Sequence, residues 1–147
     1  MQAQDTLKMH GRLKIEVRDE QGQVKEVKEI PNLVVTTGKD FIASRMKDTT
    51  NGAMSHMAVG TNDTPAAAGQ TGLATELARV ALTSTSVTGS TVTYIAAFPP
   101  GTGTGSLVEA GILNASTAGI MLCRTTFSVI NKGARDSMSI TWTVTVS

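Results

Sequence analysis

Aromatic residues are scarce: one Trp, one Tyr and three Phe make up 3 % of the 147-residue chain, against an apolar fraction of 40 %. A core must therefore be built from Val, Ile, Leu, Met and Ala, with Trp142, Tyr94, Phe41, Phe98 and Phe127 as its few large pieces. Such a core is thin, and anything that binds only the folded state stabilises it by mass action, so a partner surface is expected. Cysteine is nearly absent. The single Cys123 excludes an internal disulfide, and among Met121, Leu122 and Phe127 it lacks the cationic setting that generates a thiolate. Histidine is limited to His10 and His56, which with Cys123 are too scattered for a zinc site and lie beside no nucleophile motif. With a net charge of +1 and no basic run interleaved with aromatics, the chain carries no electrostatic footprint for nucleic acid. No stretch approaches the roughly 20 apolar residues of a membrane span, and Met1 to Asp19 holds no signal-like apolar segment, so a soluble chain that does not engage a membrane is expected.

What is present is strongly patterned. Charge is front-loaded, with 17 of the 25 charged residues in positions 1–60, after which Thr, Ser, Gly and Ala take over. Residues 1–12 read as a flexible N-terminal arm ahead of a single β domain spanning 1–147. Leu13, Ile15 and Val17 alternate with Lys14, Glu16 and Arg18, and a second arm, Val24 to Ile30, follows the turn formers Asp19 to Gly22. This predicts a charged hairpin whose imperfectly alternating second arm suits a solvated sheet edge. After Pro31 a short β segment, Leu33 to Thr36, leads to Thr37-Gly38-Lys39-Asp40, which has the spacing of a capping box and predicts one short helix over residues 38–47. His56 to Val59 reads as a brief strand, residues 60–72 as a long loop, and Leu73 to Ala78 as a helical turn leading into one strand from Arg79 to Val87. Strand patterns follow at 91–98, 107–113, 120–130 and 138–146. In the last, Met138, Ile140, Trp142, Val144 and Val146 alternate with Ser and Thr. Many short strands with Gly-rich and Ser-rich turns, and no crossover helices, predict an all-β fold, a jelly-roll-like sandwich or barrel carried mainly by residues 79–147.

Candidate chemistry is sparse. Gly101-Thr102-Gly103-Thr104-Gly105 is glycine-rich but lacks a following Lys-Ser or Lys-Thr and precedes a strand, so a bent connection is expected rather than a phosphate cradle. Neither Asn62-Asp63 nor Asp19-Glu20 extends into a calcium-loop pattern. The informative set is Glu76, Arg79, Glu109 and Arg124, few charges in an otherwise neutral half. Glu109 stands between Val108 and Ala110, where an unpaired ion would cost several kcal/mol, so a structural ion pair with Arg79 or Arg124 is expected. No catalytic residue, cofactor or metal is expected. The residues picked out as candidate contacts with a partner are Arg18, Lys25 and Lys28 on the hairpin and Asn62, Asp63 and Pro65 on the long loop.

Several phrases resemble a known group of proteins: His56-Met57-Ala58-Val59-Gly60-Thr61 leading through Pro65 to Leu73-x-x-Glu76-Leu77-x-Arg79-Val80, then Gly105-x-Leu107-x-Glu109-Ala110-Gly111-Ile112, with Arg124-x-x-Phe127 and Ile140-Thr141-Trp142. Over roughly residues 30–147 the chain is similar to capsid cement, or decoration, proteins of tailed bacteriophages. That resemblance implies a jelly-roll-like fold, a homodimer, the major capsid protein as partner and a place on the capsid exterior of the virion. Related phrases also occur in phage tail-fibre and baseplate proteins, which stand as the alternative. The matched positions look like fold determinants, and the resemblance assigns no functional residue among them.

Overall fold

Alternation places apolar side chains on one face of a strand, and the first strand shows what the whole sheet is built around. The computed structural model describes residues 7–47 and 51–147. Within it β1 (Met9–Arg18) buries Leu13, Ile15 and Val17 completely while Lys14, Glu16 and Arg18 point outward. Asp19 turns the chain, its carboxylate accepting the backbone N–H groups of Gln21 and Gln23 at 2.9 Å each, and Gly22 takes the left-handed conformation (φ 81°) that closes the turn. β2 (Val24–Val34) returns antiparallel to β1.

The helix α1 (Thr36–Arg45) follows at once and packs on β8, introduced below. It starts two residues before the expected position and has no capping box. Val35 is the N-cap without a side-chain bond, and the Thr37 hydroxyl donates instead to the Met121 carbonyl at 3.0 Å. Gly38 lies against the Leu122 carbonyl so closely that any Cβ would overlap it, which lets the helix sit directly on the strand.

Seven more strands follow among the described residues: β3 (His56–Gly60), β4 (Glu76–Ala81), β5 (Ser84–Thr88), β6 (Thr91–Phe98), β7 (Gly105–Leu113), β8 (Met121–Lys132) and β9 (Ser137–Val146). All pairings are antiparallel, and the sheet order is β4-β3-β7-β8-β2-β1-β9-β6-β5. The sheet is strongly curled into a half-barrel, so the expected all-β architecture is what the chain adopts. Two corners produce the curl. β2 pairs with β1 as far as Asn32, then changes neighbour and pairs with β8 through Leu33 and Val34 only. The change falls between Asn32 and Leu33, just after Pro31, which can donate no ladder bond and whose carbonyl accepts the Thr125 hydroxyl at 2.7 Å. At the other corner the expected single strand 79–87 breaks at Leu82 and Thr83. Leu82 N–H bonds Ser55 O at 2.9 Å and Thr83 N–H bonds Ile95 O at 2.7 Å, so consecutive amides tie the two ends of the sheet together. Strands that bend from one sheet to another are the usual makers of such corners.

Inside the curl Trp142, Phe98, Leu107, Ile112, Ile130 and Ile140 are almost wholly removed from water. Trp142 satisfies its indole N–H on Asn32 Oδ1 at 2.7 Å. A glycine at position 11, opposite Asn32, is needed because a Cβ there would occupy the amide's place.

Several expectations are corrected. The hairpin's second arm is open on one side from Val24 to Asn32, as expected of a solvated edge, but its first arm is interior: β1 pairs with β9 from Met9 to Arg18 and with β2 from Gly11 to Arg18, so the fold requires residues 9–34 and not the second half alone. Residues 8–12 are not part of a loose arm, since Lys8 and Ser147 exchange backbone hydrogen bonds at 2.6 and 2.8 Å and β1 begins at Met9. Of the rest of that expected arm, Leu7 is exposed and residues 1–6 lie outside the described residues. Leu73 to Thr75 forms no helical turn, and β4 starts at Glu76. Residues 99–102 form a tight turn, with Thr102 N–H on Pro99 O at 3.0 Å and Gly101 at φ 86°, as the glycine-rich connection requires. Among the described residues no helix is long and apolar enough to cross a membrane.

Candidate interaction surfaces

A strand buried on both faces needs a cover, and β7 is buried at every position from Leu107 to Leu113. One face meets the barrel interior. The other lies beneath the segment 61–75, which has no regular secondary structure and crosses the outside of the sheet. Glu109 holds that segment. Its carboxylate accepts N–H groups from Asn62 (3.1 Å), Ala74 (2.8 Å) and Thr75 (2.8 Å), and the Nε and Nη2 of Arg124 at 3.1 and 2.9 Å. Arg124 reaches onward to Thr64 O (2.8 Å) and Gln70 Oε1 (3.1 Å). Both side chains are fully buried.

The sequence allows this close approach at Gly60, where any Cβ would overlap Thr75 O and come within 2.5 Å of Glu109 Oε2. Around the ion pair a small apolar cluster of Val35, Ala58, Leu113 and Met121 receives Leu73 from the segment. Asn62 Oδ1 accepts the Thr64 N–H at 2.9 Å, and Gln70 closes a turn on Ala67 and Pro65. Removing one partner of such a buried pair typically costs about 3–5 kcal/mol, because the other charge is left in a site without water. The long loop is thus a fixed strap across β3, β7 and β8.

Arg124 is the ion's partner, and Arg79 is not. Arg79 sits on β4, pairs with Glu76 at 2.7 Å, and donates to the carbonyls of Ala115 and Ala118 at 2.8 and 2.9 Å. Of the candidate contacts, Asn62 is half-buried, its backbone N–H bonded to Glu109 and its side chain to Thr64, while Asp63 and Pro65 are exposed on the strap. The hairpin cations are paired within the chain: Arg18 with Glu16 (2.5 Å), Lys25 with Asp136 (2.6 Å), and Lys28 with Ser128 and, at 3.6 Å, Glu26. Lys25 and Lys28 bridge the gap that opens where β2 leaves β8.

The pairing register exposes a surface that alternation alone does not show. On the outward face of β5, β6 and β9, Thr88, Thr91 and Thr145 form one row, Ser86, Thr93 and Thr143 the next, and Ser84, Ile95 and Thr141 the third. Thr91 and Thr145 hydroxyls meet at 3.0 Å. Neither 80–108 nor 137–147 contains a charged residue, so this third of the sheet is neutral throughout. Beyond it, β1 presents His10, Arg12 and Lys14 in the same rows.

Groups with chemical potential lie elsewhere and are held quiet. Cys123 is buried in the core, and burial pushes its thiol well above the usual range, which disfavours a nucleophilic thiolate. His56 Nδ1 bonds the neighbouring Ser55 hydroxyl at 2.8 Å. Lys132 is buried, its ammonium donating to Pro99 O (3.0 Å) and Asp136 O (2.7 Å). Burial lowers its pKa and the Asp136 carboxylate partly opposes that. Among the described residues no group of three or more His, Cys, Asp or Glu side chains is placed to hold a metal ion. Comparison with known proteins returned no matching family model, no matching curated protein and no matching solved structure.

Proposed function

We propose that this chain is a non-enzymatic structural subunit of a tailed-phage virion, a cement protein that bridges and stabilises the major capsid subunits of the mature shell from its outer surface. The observation that carries the reading is the neutral hydroxyl face of β5, β6 and β9, set on a rigid curled sheet. Interface centres are depleted in charge, because every ion covered by a partner loses its hydration. A face of Ser and Thr carries a smaller desolvation penalty and offers hydroxyls that both donate and accept. Each contact is weak, but a shell presents the same site many times, and a subunit that touches two neighbours gains from effective concentration.

The strap supports the same reading. Its exposed residues, including Asp63 and Pro65, are held by the Glu109–Arg124 pair before any partner arrives, so docking would not bear the full ordering cost of a long loop. The phrases that resemble phage virion proteins fall largely on β3, β4, β7 and β8, the strands around this pair.

The test is a copy count. Quantitative mass spectrometry of purified virions should find the chain in proportion to the major capsid protein. Few copies, in proportion to tail components, would overturn the cement reading in favour of a tail-fibre or baseplate part.

A further inference from the structure

Among the described residues several stretches of strand lack a neighbour on one side; three of them are the outer edge of β4, the free part of β2 and β5, and the first two are guarded. The outer edge of β4 carries Glu76 and Arg79 and is irregular at Leu77, where its register with β3 shifts opposite Val59/Gly60. The free part of β2 carries Lys25, Glu26 and Lys28, tied to Asp136 and Ser128. Charged side chains and bulges at an edge are the standard means of preventing strand addition. The third edge, β5, has neither. Its sequence Ser84-Thr85-Ser86-Val87-Thr88 is uncharged and free of Pro and Gly, all five residues are exposed, and it pairs only with β6, in an uninterrupted register. Val87 points to the apolar side of the sheet, opposite Val92, yet is 71 % exposed.

We infer that β5 is a docking edge for the β5 strand of a second copy of this chain, paired antiparallel across a two-fold axis through Ser86. Self-pairing about a central residue sets that residue against its own copy and the others against nearby residues of the same strand, so a charge at the centre would oppose itself. β5 has none. In this register Ser84 faces Thr88 of the second copy, Thr85 faces Val87, and Ser86 faces Ser86. The exposed Val87 is then covered by the methyl-bearing Thr85 across the axis, a β-branched pair of the kind that stabilises sheets. On the outward side the hydroxyl rows run on without a break from one copy to the other, doubling the neutral face. A two-fold contact of this kind is isologous and closes on itself, so it yields a dimer and not a filament. Five residues of strand pairing bury less than the roughly 800 Å² per partner of a standard interface, so the dimer is weak and concentration-dependent.

This inference uses the purified chain alone and stands or falls independently of the virion reading. Sedimentation equilibrium of the wild type should show a reversible monomer–dimer distribution. S86K and S86E should each weaken association about tenfold or more, by setting like charges face to face, while an equimolar mixture of the two should restore it. Thermal unfolding of each variant checks that it is folded. Amide exchange on the wild type supplies a readout without substitution: protection of 84–88 should rise with protein concentration while that of 76–81 does not. A wild type that stays monomeric at the highest concentrations, an S86K variant that associates normally, or a mixture that fails to recover would each overturn the proposal.

Discussion

Replacing Arg124 by Ala isolates what the buried ion pair does. The substitution removes two hydrogen bonds to Glu109 Oε1 and the donors to Thr64 O and Gln70 Oε1, and leaves the Glu109 carboxylate with only the N–H groups of Asn62, Ala74 and Thr75. The expected loss is about 3–5 kcal/mol, which for a chain of this length lowers Tm by roughly 10 °C. Trp142, the only tryptophan and a core residue, reports global unfolding by fluorescence in a denaturant titration. The double replacement Glu109→Leu with Arg124→Met separates two roles. Apolar side chains of similar volume remove both charges together, so most of the global stability should return. The three strap N–H groups would have no acceptor, and amide exchange over 61–75 should remain fast. An Arg124→Ala variant with an unchanged denaturation midpoint, or a double variant with wild-type protection in the strap, would refute the reasoning.

Two sites of close approach make further predictions. Gly60→Ala should destabilise the chain by about 2 kcal/mol or more, read as a lower denaturant midpoint, because the added methyl meets Thr75 O and Glu109. Gly38→Ala, where the obstruction is the Leu122 carbonyl, should lift α1 from β8 and speed amide exchange in Thr36–Arg45. Burial, with a smaller contribution from Cys123, pushes Tyr94 from 10.0 up to about 12, and burial raises Cys123 above 9.0. Both acids then release protons earlier in the unfolded chain, so their contribution is full below about pH 9 and is lost as pH rises towards their native values. Lys132, lowered from 10.5, acts with the opposite sign over the same range. Ultraviolet titration of the single tyrosine should show tyrosinate forming near pH 12 and not near 10. At the acid end the Lys25 hydrogen bond first, then the Gly133 N–H, hold the Asp136 carboxyl below 3.8, so the stability it adds is present above that pH and declines as pH falls further.

The parts of this fold that the sequence shows best are those set by a single strand's alternation. β9 is legible because Met138, Ile140, Trp142 and Val144 face the core while Ser139 meets solvent. The position of the N-terminal hairpin is not legible, because β1 with one charged face reads alike at an edge or in the middle of a sheet. What decides is its pairing with β9, more than a hundred residues away. Thr37 to Asp40 has the spacing of a cap, but the Met121 carbonyl claims the Thr37 hydroxyl, a tertiary contact that local pattern cannot foresee. Glu109 announces its need for a cation, yet the choice of Arg124 over Arg79 depends on which strand lies beside β7, and Glu76 three residues from Arg79 was the available clue. The hydroxyl rows require the register of three strands. Their trace in the sequence is the charge-free run 80–108 and the Thr alternation at 141–145.

The central claim is that the neutral face of β5, β6 and β9 binds a protein shell, and cosedimentation with isolated mature capsids tests it most directly. Wild-type chain should pellet with the capsids to saturation, and Thr93→Lys together with Thr143→Glu, which charge the middle of that face while leaving the core side chains untouched, should lower the bound fraction about tenfold or more. Equal binding by the folded double variant, or no binding by the wild type, would contradict it.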